Sequence, residues 1–353
     1  MDLSMSSVEA AVWGGAFLGG GGGGWPADGL RNGMLALETG SPRLVPLSEL
    51  PADALVVTVS MVGAPAAPER FLRPEDFVEA VTVLNRRLDG RIGALISSEN
   101  GGTATLNGWF QSAVTGIPVA DAACDGRAHP TGVMGSMGLD RDSTYQSVQS
   151  VVGGNPASAR RVRMVVEGSL DACDRSVREA SVAAGGLVAV ARNPVTAAYV
   201  MANGAPGAIT QAMALGEIIL GNRPAGGEAV AAALAAELGG HVLARGPVRQ
   251  YALRTVGGYD VGQLRVGDVD LTFWNEYMTA DGSTGRLATF PDLIATLDAR
   301  TGDPVVTAEL ADGRELLVVA VPKARLILGE GVRHPECLAP AEAAVGKEMA
   351  RWF

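Results

Sequence analysis

Cysteine, histidine, aromatic residues and positive charge are all scarce in this chain of 353 residues. The three cysteines, Cys124, Cys173 and Cys337, are odd in number and include no Cys-x-x-Cys, so neither a disulfide framework nor a zinc ribbon is supported. The three histidines, His129, His241 and His334, form no His-x-His or His-x-x-x-His pair, which argues against a histidine-rich catalytic zinc site. Lys and Arg number 28 against 38 Asp and Glu, a net charge of −10. Nucleic acid is therefore not an expected partner, because phosphate binding needs clustered cations. There is no Lys or Arg before Arg31, and a secretory leader requires a positive start. The uncharged stretch Ala10–Ala27 has 8 glycines among its 18 residues and contains Trp25-Pro26, a composition that cannot sustain a membrane-spanning helix. A cytoplasmic protein without a membrane partner is expected.

Apolar residues are plentiful at 47%, enough to bury a large core and to exclude a disordered chain. Together with the low charge, that surplus predicts a homo-oligomer. Glycine is the other surplus: 47 residues, roughly twice the usual share of about 7%. Tight turns and close backbone approaches should therefore be frequent.

The pattern predicts an α/β protein. Apolar runs at 54–61, 91–97 and 117–123 read as buried strands, separated by helical patterns at 73–88 and 103–116. That rhythm implies parallel βαβ units. A short helix should precede the Gly19–Gly24 run. From 128 to 160 the chain shows little periodicity. A strand at 161–168, a helix at 171–184, a strand at 187–191 and helices at 207–220 and 228–238 follow, and turn signals after His241 suggest a region of short strands. We expect an N-terminal α/β domain over 1–162 and a C-terminal α+β domain rich in strands over 163–353.

The glycine run is not a dinucleotide fingerprint, because a helix rather than a strand precedes it, and no Gly-Lys-Ser/Thr closes it as in a phosphate loop. Its peptide N–H groups at Gly21, Gly22 and Gly23 are candidates for facing a substrate. The sharper signal lies where the three strands end. Ligands of open parallel sheets bind beyond the carboxyl ends of the strands. Glu99, Asn100, Gly101 and Gly102 follow one strand, and Asp121, Cys124, Asp125 and Arg127 belong to the end of another. Carboxylates beside one arginine suit a general acid and base. The competing reading has Asp121 and Asp125 capping turns or helix starts, with Arg127 as their ion-pair partner. Cys124 is a candidate nucleophile beside Arg127, or a small buried hydrophobe. His129 is a candidate proton shuttle. Asn275 and Glu276 sit in the apolar stretch FWNEYM, where a buried Glu needs a partner or a raised pKa. The small residues of 203–216 point to tight helix packing.

These segments resemble the S-methyl-thiohydantoin desulfurase family, which is associated with hydantoinase and oxoprolinase systems. The resemblance rests on GGAFLGGGGGGWP (14–26), MVGAP (61–65) with Glu69, and Glu99-Asn100-Gly101-Gly102 with Asn107. It continues through Pro118-Val119, Asp121 and Asp125-Gly126-Arg127-Ala128-His129-Pro130, then ARNPV (191–195), GAPGAI (204–209), Asn275-Glu276 and Phe290-Pro291-Asp292. It spans nearly the whole chain. It implies hydrolytic removal of a sulfur substituent from a hydantoin-like five-membered ring. We expect a hydrolase or lyase acting on a five-membered cyclic amide or amidine of this kind, with Glu99 or Asp121 as base, Asp125 or His129 as acid, Arg127 orienting the substrate and the glycine loops stabilising charge. Two departures stand out: His129-Pro130-Thr131 replaces a Phe-Pro-Glu, and three residues separate Asp121 from Asp125. A diverged ring-modifying enzyme and a non-catalytic, ligand-binding partner of a hydantoinase-type enzyme are the alternatives. No organic cofactor is expected, a metal held by carboxylates is left open, and the expected partner is a small cyclic substrate.

Overall fold

The computed structural model describes residues 3–353. Helix α1 (Met5–Leu18) leads into the glycine loop, and α2 (Pro26–Thr39) leaves it. The loop thus joins two helices, the second of which begins at the Pro26 ring, already set for a helical first turn. The strands β1 (Leu44–Val45), β2 (Leu55–Gly63), β3 (Ile92–Ser97), β4 (Val119–Ala123), β5 (Ser147–Gly153), β6 (Val162–Gly168) and β7 (Leu187–Thr196) form one sheet in the order β1-β4-β3-β2-β7-β5-β6. The pairs β1/β4, β4/β3 and β3/β2 are parallel; β2/β7, β7/β5 and β5/β6 are antiparallel. A short strand β8 (Ala205–Pro206) pairs with β4. Residue 162, where a division was expected, is the first residue of β6, so this sheet takes strands from both sides of it.

Strand alternation gives the sheet two apolar faces. Ala189 and Ala191 of β7 turn toward α3 (Pro74–Arg87), while Val188 and Val190 turn toward α5 (Leu170–Ala183). On α3, Phe77, Val81 and Leu84 recur at helical spacing and are buried, each contributing about 1.5–3 kcal/mol. Acids at Glu75 and Asp76 and arginines at 86 and 87 match the helix dipole. The 103–116 segment is a 3-10 turn (Ala104–Leu106) followed by the short helix α4 (Trp109–Thr115), closed by Gly116 at φ +76°.

A second, fully antiparallel sheet follows α6 (Ala197–Asn203), α7 (Ala208–Asn222) and α8 (Gly227–Leu238). Its strands are β9 (His241–Val256), β10 (Tyr259–Val266), β11 (Val269–Trp274), β12 (Glu276–Gly282), β13 (Gly285–Thr289), β14 (Leu293–Asp298) and β15 (Glu315–Val321), ordered β13-β12-β11-β10-β9-β15-β14. Phe17 and Leu18 of α1, with α7 and α8, share a core with β14 and β15, so α1 belongs to both halves. The α1–α7 crossing is very close. A Cβ on Gly14 would lie 1.7 Å from the Ala212 carbonyl oxygen, and one on Gly216 would lie 1.8 Å from that of Ala10. No helix among the described residues is long and apolar enough to cross a membrane.

Candidate active site

The parallel strands β2, β3 and β4 end along one edge, where the second sheet presents its β11–β12 turn. Between them lies a cavity of about 60 Å³. Glu99 and His129 line it from the first sheet's loops, and Asn275 and Glu276 from the turn. Arg178 of α5 and Arg192 of β7 also line it.

Glu99 and His129 form the central pair. The His129 peptide N–H donates to Glu99 Oε2 at 3.1 Å, and the ring Nε2 stands 3.5 Å from the same oxygen. Burial raises the Glu99 carboxyl from 4.5 to about 8, against the pull of that N–H and of Arg192. Burial, reinforced by Arg192, lowers His129 from 6.5 to about 3. Near neutral pH the pair is a carboxylic acid beside a neutral imidazole, so the contact is not an ion pair. Desolvation is the largest cause at both groups and decides their protonation.

Glu276 is the second acid. It is buried, its Oε2 has no hydrogen-bond partner among the described residues, and its carboxyl is held well above the usual range by burial and by Glu99. Asn275 precedes it at φ +59°, in the left-handed region. That backbone is fixed on both sides: Asp260 N–H donates to Asn275 Oδ1 at 2.9 Å, and Thr307 Oγ1 donates to the Asn275 carbonyl at 2.7 Å. Gly22 permits the approach, since a Cβ there would lie 2.0 Å from Glu276 Oε1.

Arg127 and Asp125 do not line the cavity but act on its charges. Arg127 is fully buried over the Phe290 ring, 4.4 Å from its centroid, and donates to the carbonyls of Pro291 and Asp292 at 3.2 and 2.5 Å. It is a clamp between the halves that also places positive charge near Glu276 and Glu99. Asp125 accepts from the Gly329 N–H at 3.1 Å, and burial raises it to about 7.

The remaining candidates serve the scaffold. Asp121 accepts from the Ile209 and Thr210 N–H groups at 3.1 Å and from Thr210 Oγ1 at 2.8 Å, holding the start of α7. Cys124 is fully buried, with Sγ 3.1 Å from Thr58 Oγ1, and burial pushes its thiol up to about 11, too high for a ready thiolate. Asn100 donates to the Gly126 and Ala208 carbonyls and accepts from Thr105, which ties loops together. Gly101 presses on Gly23, and Gly102 on Gly24 and Pro26, so these glycines allow two backbones to touch. Gly21 binds Thr307 through its carbonyl. Of the three loop glycines expected to face substrate, Gly23 lines the cavity; Gly21 and Gly22 line a separate small hollow.

Sequence reasoning missed Arg178, Arg192, Ser98 and Thr131, all in the lining. Arg192 donates to Ser98 Oγ at 3.2 Å and to Asp174 at 3.4 Å, and is 3% exposed. Its signal was an arginine ending the apolar run LVAVAR. Thr131 occupies the position where the resemblance places an acid. Among the described residues, no three of His, Cys, Asp and Glu are grouped as metal ligands.

The S-Me-THD-like N-terminal domain model matches residues 6–157, and the S-Me-THD-like C-terminal domain model matches 169–332. The chain belongs to the S-Me-THD-like family. No curated protein gives a significant match. Among solved structures, a protein from Chromobacterium violaceum is similar at a TM-score of 0.70 and 22% identity, covering 91% of this chain and 92% of that one. At that identity the likeness concerns the fold alone. Family membership supports a thiohydantoin-related role.

Proposed function

We propose that this protein is a hydrolase that exchanges a sulfur substituent for oxygen on a hydantoin-like ring. The reading is carried by two carboxyls, the buried Glu276 and the largely buried Glu99, that line one small cavity beside Arg178 and Arg192. The reacting carbon of an S-methyl-thiohydantoin lies between two nitrogens, one of them basic. Protonated Glu99 gives its proton to that nitrogen, which makes the carbon electrophilic. The carboxylate left behind then takes a proton from water as the water oxygen bonds to carbon. The carbon–sulfur bond breaks with its electron pair going to sulfur, and methanethiol leaves with a proton returned through Glu99. The remaining hydroxyl proton passes to Glu99, which restores its acid form, and the ring keeps a carbonyl whose oxygen came from water. A group titrating near 8 suits both steps, because neither protonation state is far out of reach at neutral pH. Neutral His129 holds Glu99 in place through its peptide N–H, and the two arginines favour negative charge on ring oxygen.

The test is thiol release from S-methyl-thiohydantoin, followed with a chromogenic disulfide. Wild-type kcat/KM should decline as pH rises through about 8, where Glu99 loses its proton. Glu99→Gln, which can neither give nor take the proton, should lower kcat by about 100-fold or more. Unchanged turnover in that variant discards Glu99 as the proton carrier. Ring binding without turnover by the wild type points instead to a binding subunit.

A further inference from the structure

The small cavity is the inner end of a larger space. A chamber of about 780 Å³ adjoins it, and the two share Val62, Thr131, Gly132, Arg178 and Arg192 in their walls. The inner volume, about 60 Å³, is well under the roughly 150 Å³ that accommodates a benzene-sized guest. The outer one is the size of a ligand site. An unsubstituted ring would leave it almost wholly filled with water.

The chamber has an aromatic wall, its two rings inclined at 36°. Arg178 stacks on Tyr259 at 3.9 Å, and the Tyr259 and Trp274 rings lie 4.5 Å apart. Arg178 is held there by donating to the Gly258 carbonyl at 2.9 Å and the Pro130 carbonyl at 3.1 Å. Val62, Val133 and Val177 supply apolar surface. The lining carries six carboxylates against four arginines. Two of those arginines, Arg178 and Arg192, are at the inner end, which leaves the outer part acidic.

We propose that the chamber binds the ring substituent of the substrate, and that this substituent is aromatic and uncharged. The assignment rests on the ring-hydrolase reading above and narrows it. The reacting carbon enters the inner cavity, the junction arginines meet the ring, and the substituent lies against the Tyr259–Trp274 wall. An anionic tail of the same length would meet the acidic outer part.

Calorimetric titration of the whole protein with hydantoin, 5-benzylhydantoin and hydantoin-5-acetic acid tests this. The benzyl compound should bind at least ten-fold more tightly than the other two. Val133→Trp, which fills the chamber away from Glu99 and Glu276, should abolish that preference while hydantoin binding and the melting temperature stay unchanged. Equal or tighter binding of bare hydantoin overturns the assignment, as does tighter binding of the acid, and the ring reading stands in both cases. A benzyl preference that survives Val133→Trp also overturns it. Binding of none of the three overturns the ring reading and this assignment with it.

Discussion

Glu99, Asp125 and His129 are ordinary residues given unusual protonation by burial. Asp125 is raised from 3.8 to about 7 and Glu99 from 4.5 to about 8, so both bind a proton more tightly in the folded chain than in the unfolded one. Their stabilising contribution is complete below about pH 4 and is lost as pH rises through 7 and 8. His129 runs the other way. Its pKa falls from 6.5 to about 3, so its contribution is complete above 6.5 and is lost on acidification toward 3. Between pH 6.5 and 8.5 only the carboxyls change state, and the melting temperature should fall across that interval. Asp125→Asn should flatten the slope. A wild-type melting temperature that holds steady or climbs between those two pH values would refute the burial argument. The presence of Glu99, His129 and Glu276 at one site was legible in the sequence, since each interrupts an apolar or glycine-rich segment. Their protonation was not, because desolvation depends on what the rest of the chain packs around them. Asp121 reads just as well as a catalytic acid until both its oxygens are seen to accept from the start of α7.

At the scale of elements, the glycine loop works mainly by contact. Gly22 lacks a positive φ, so an alanine there is opposed by Glu276 rather than by the backbone. Gly22→Ala should displace the flexible Glu276 carboxyl. Turnover should drop about ten-fold or more, with less than about 1 kcal/mol lost in denaturant unfolding. The reverse pattern, intact turnover and a large stability loss, would show that Glu276 is not needed where it stands. Most strands and helices were legible because their apolar periodicity is strong. Strand β5 was hidden, since SVQSVVG mixes Ser and Gln into a segment with polar groups satisfied in the interior, such as Gln149 donating to Asp174. Helix α2 was hidden behind the glycines and Trp25-Pro26, which read as a loop without further order.

For the whole molecule, the antiparallel completion of the first sheet matters most. Strand β2 pairs with β3 on one side and with β7 on the other, and β7 lies beyond residue 162. A fragment of residues 1–162 would leave that edge of β2 open and β5 without β6 and β7. It should show no cooperative melt by circular dichroism and should aggregate; a soluble fragment with a sharp transition would contradict the topology. The parallel core was legible from the βαβ rhythm. The return of β7 between β2 and β5 was not, because sequence order carries no signal for which edge a later strand will join.

The loop at Gly19–Gly24 also sets an order of events during synthesis. Thr307 donates to the Gly21 carbonyl across 286 positions, and Tyr277 N–H donates to that of Gly20. These glycines leave the ribosome well ahead of Tyr277 and Thr307, and wait for them as partners. Glu276 cannot settle against Gly22 before the second sheet emerges, so a nascent chain stays without its second acid until then.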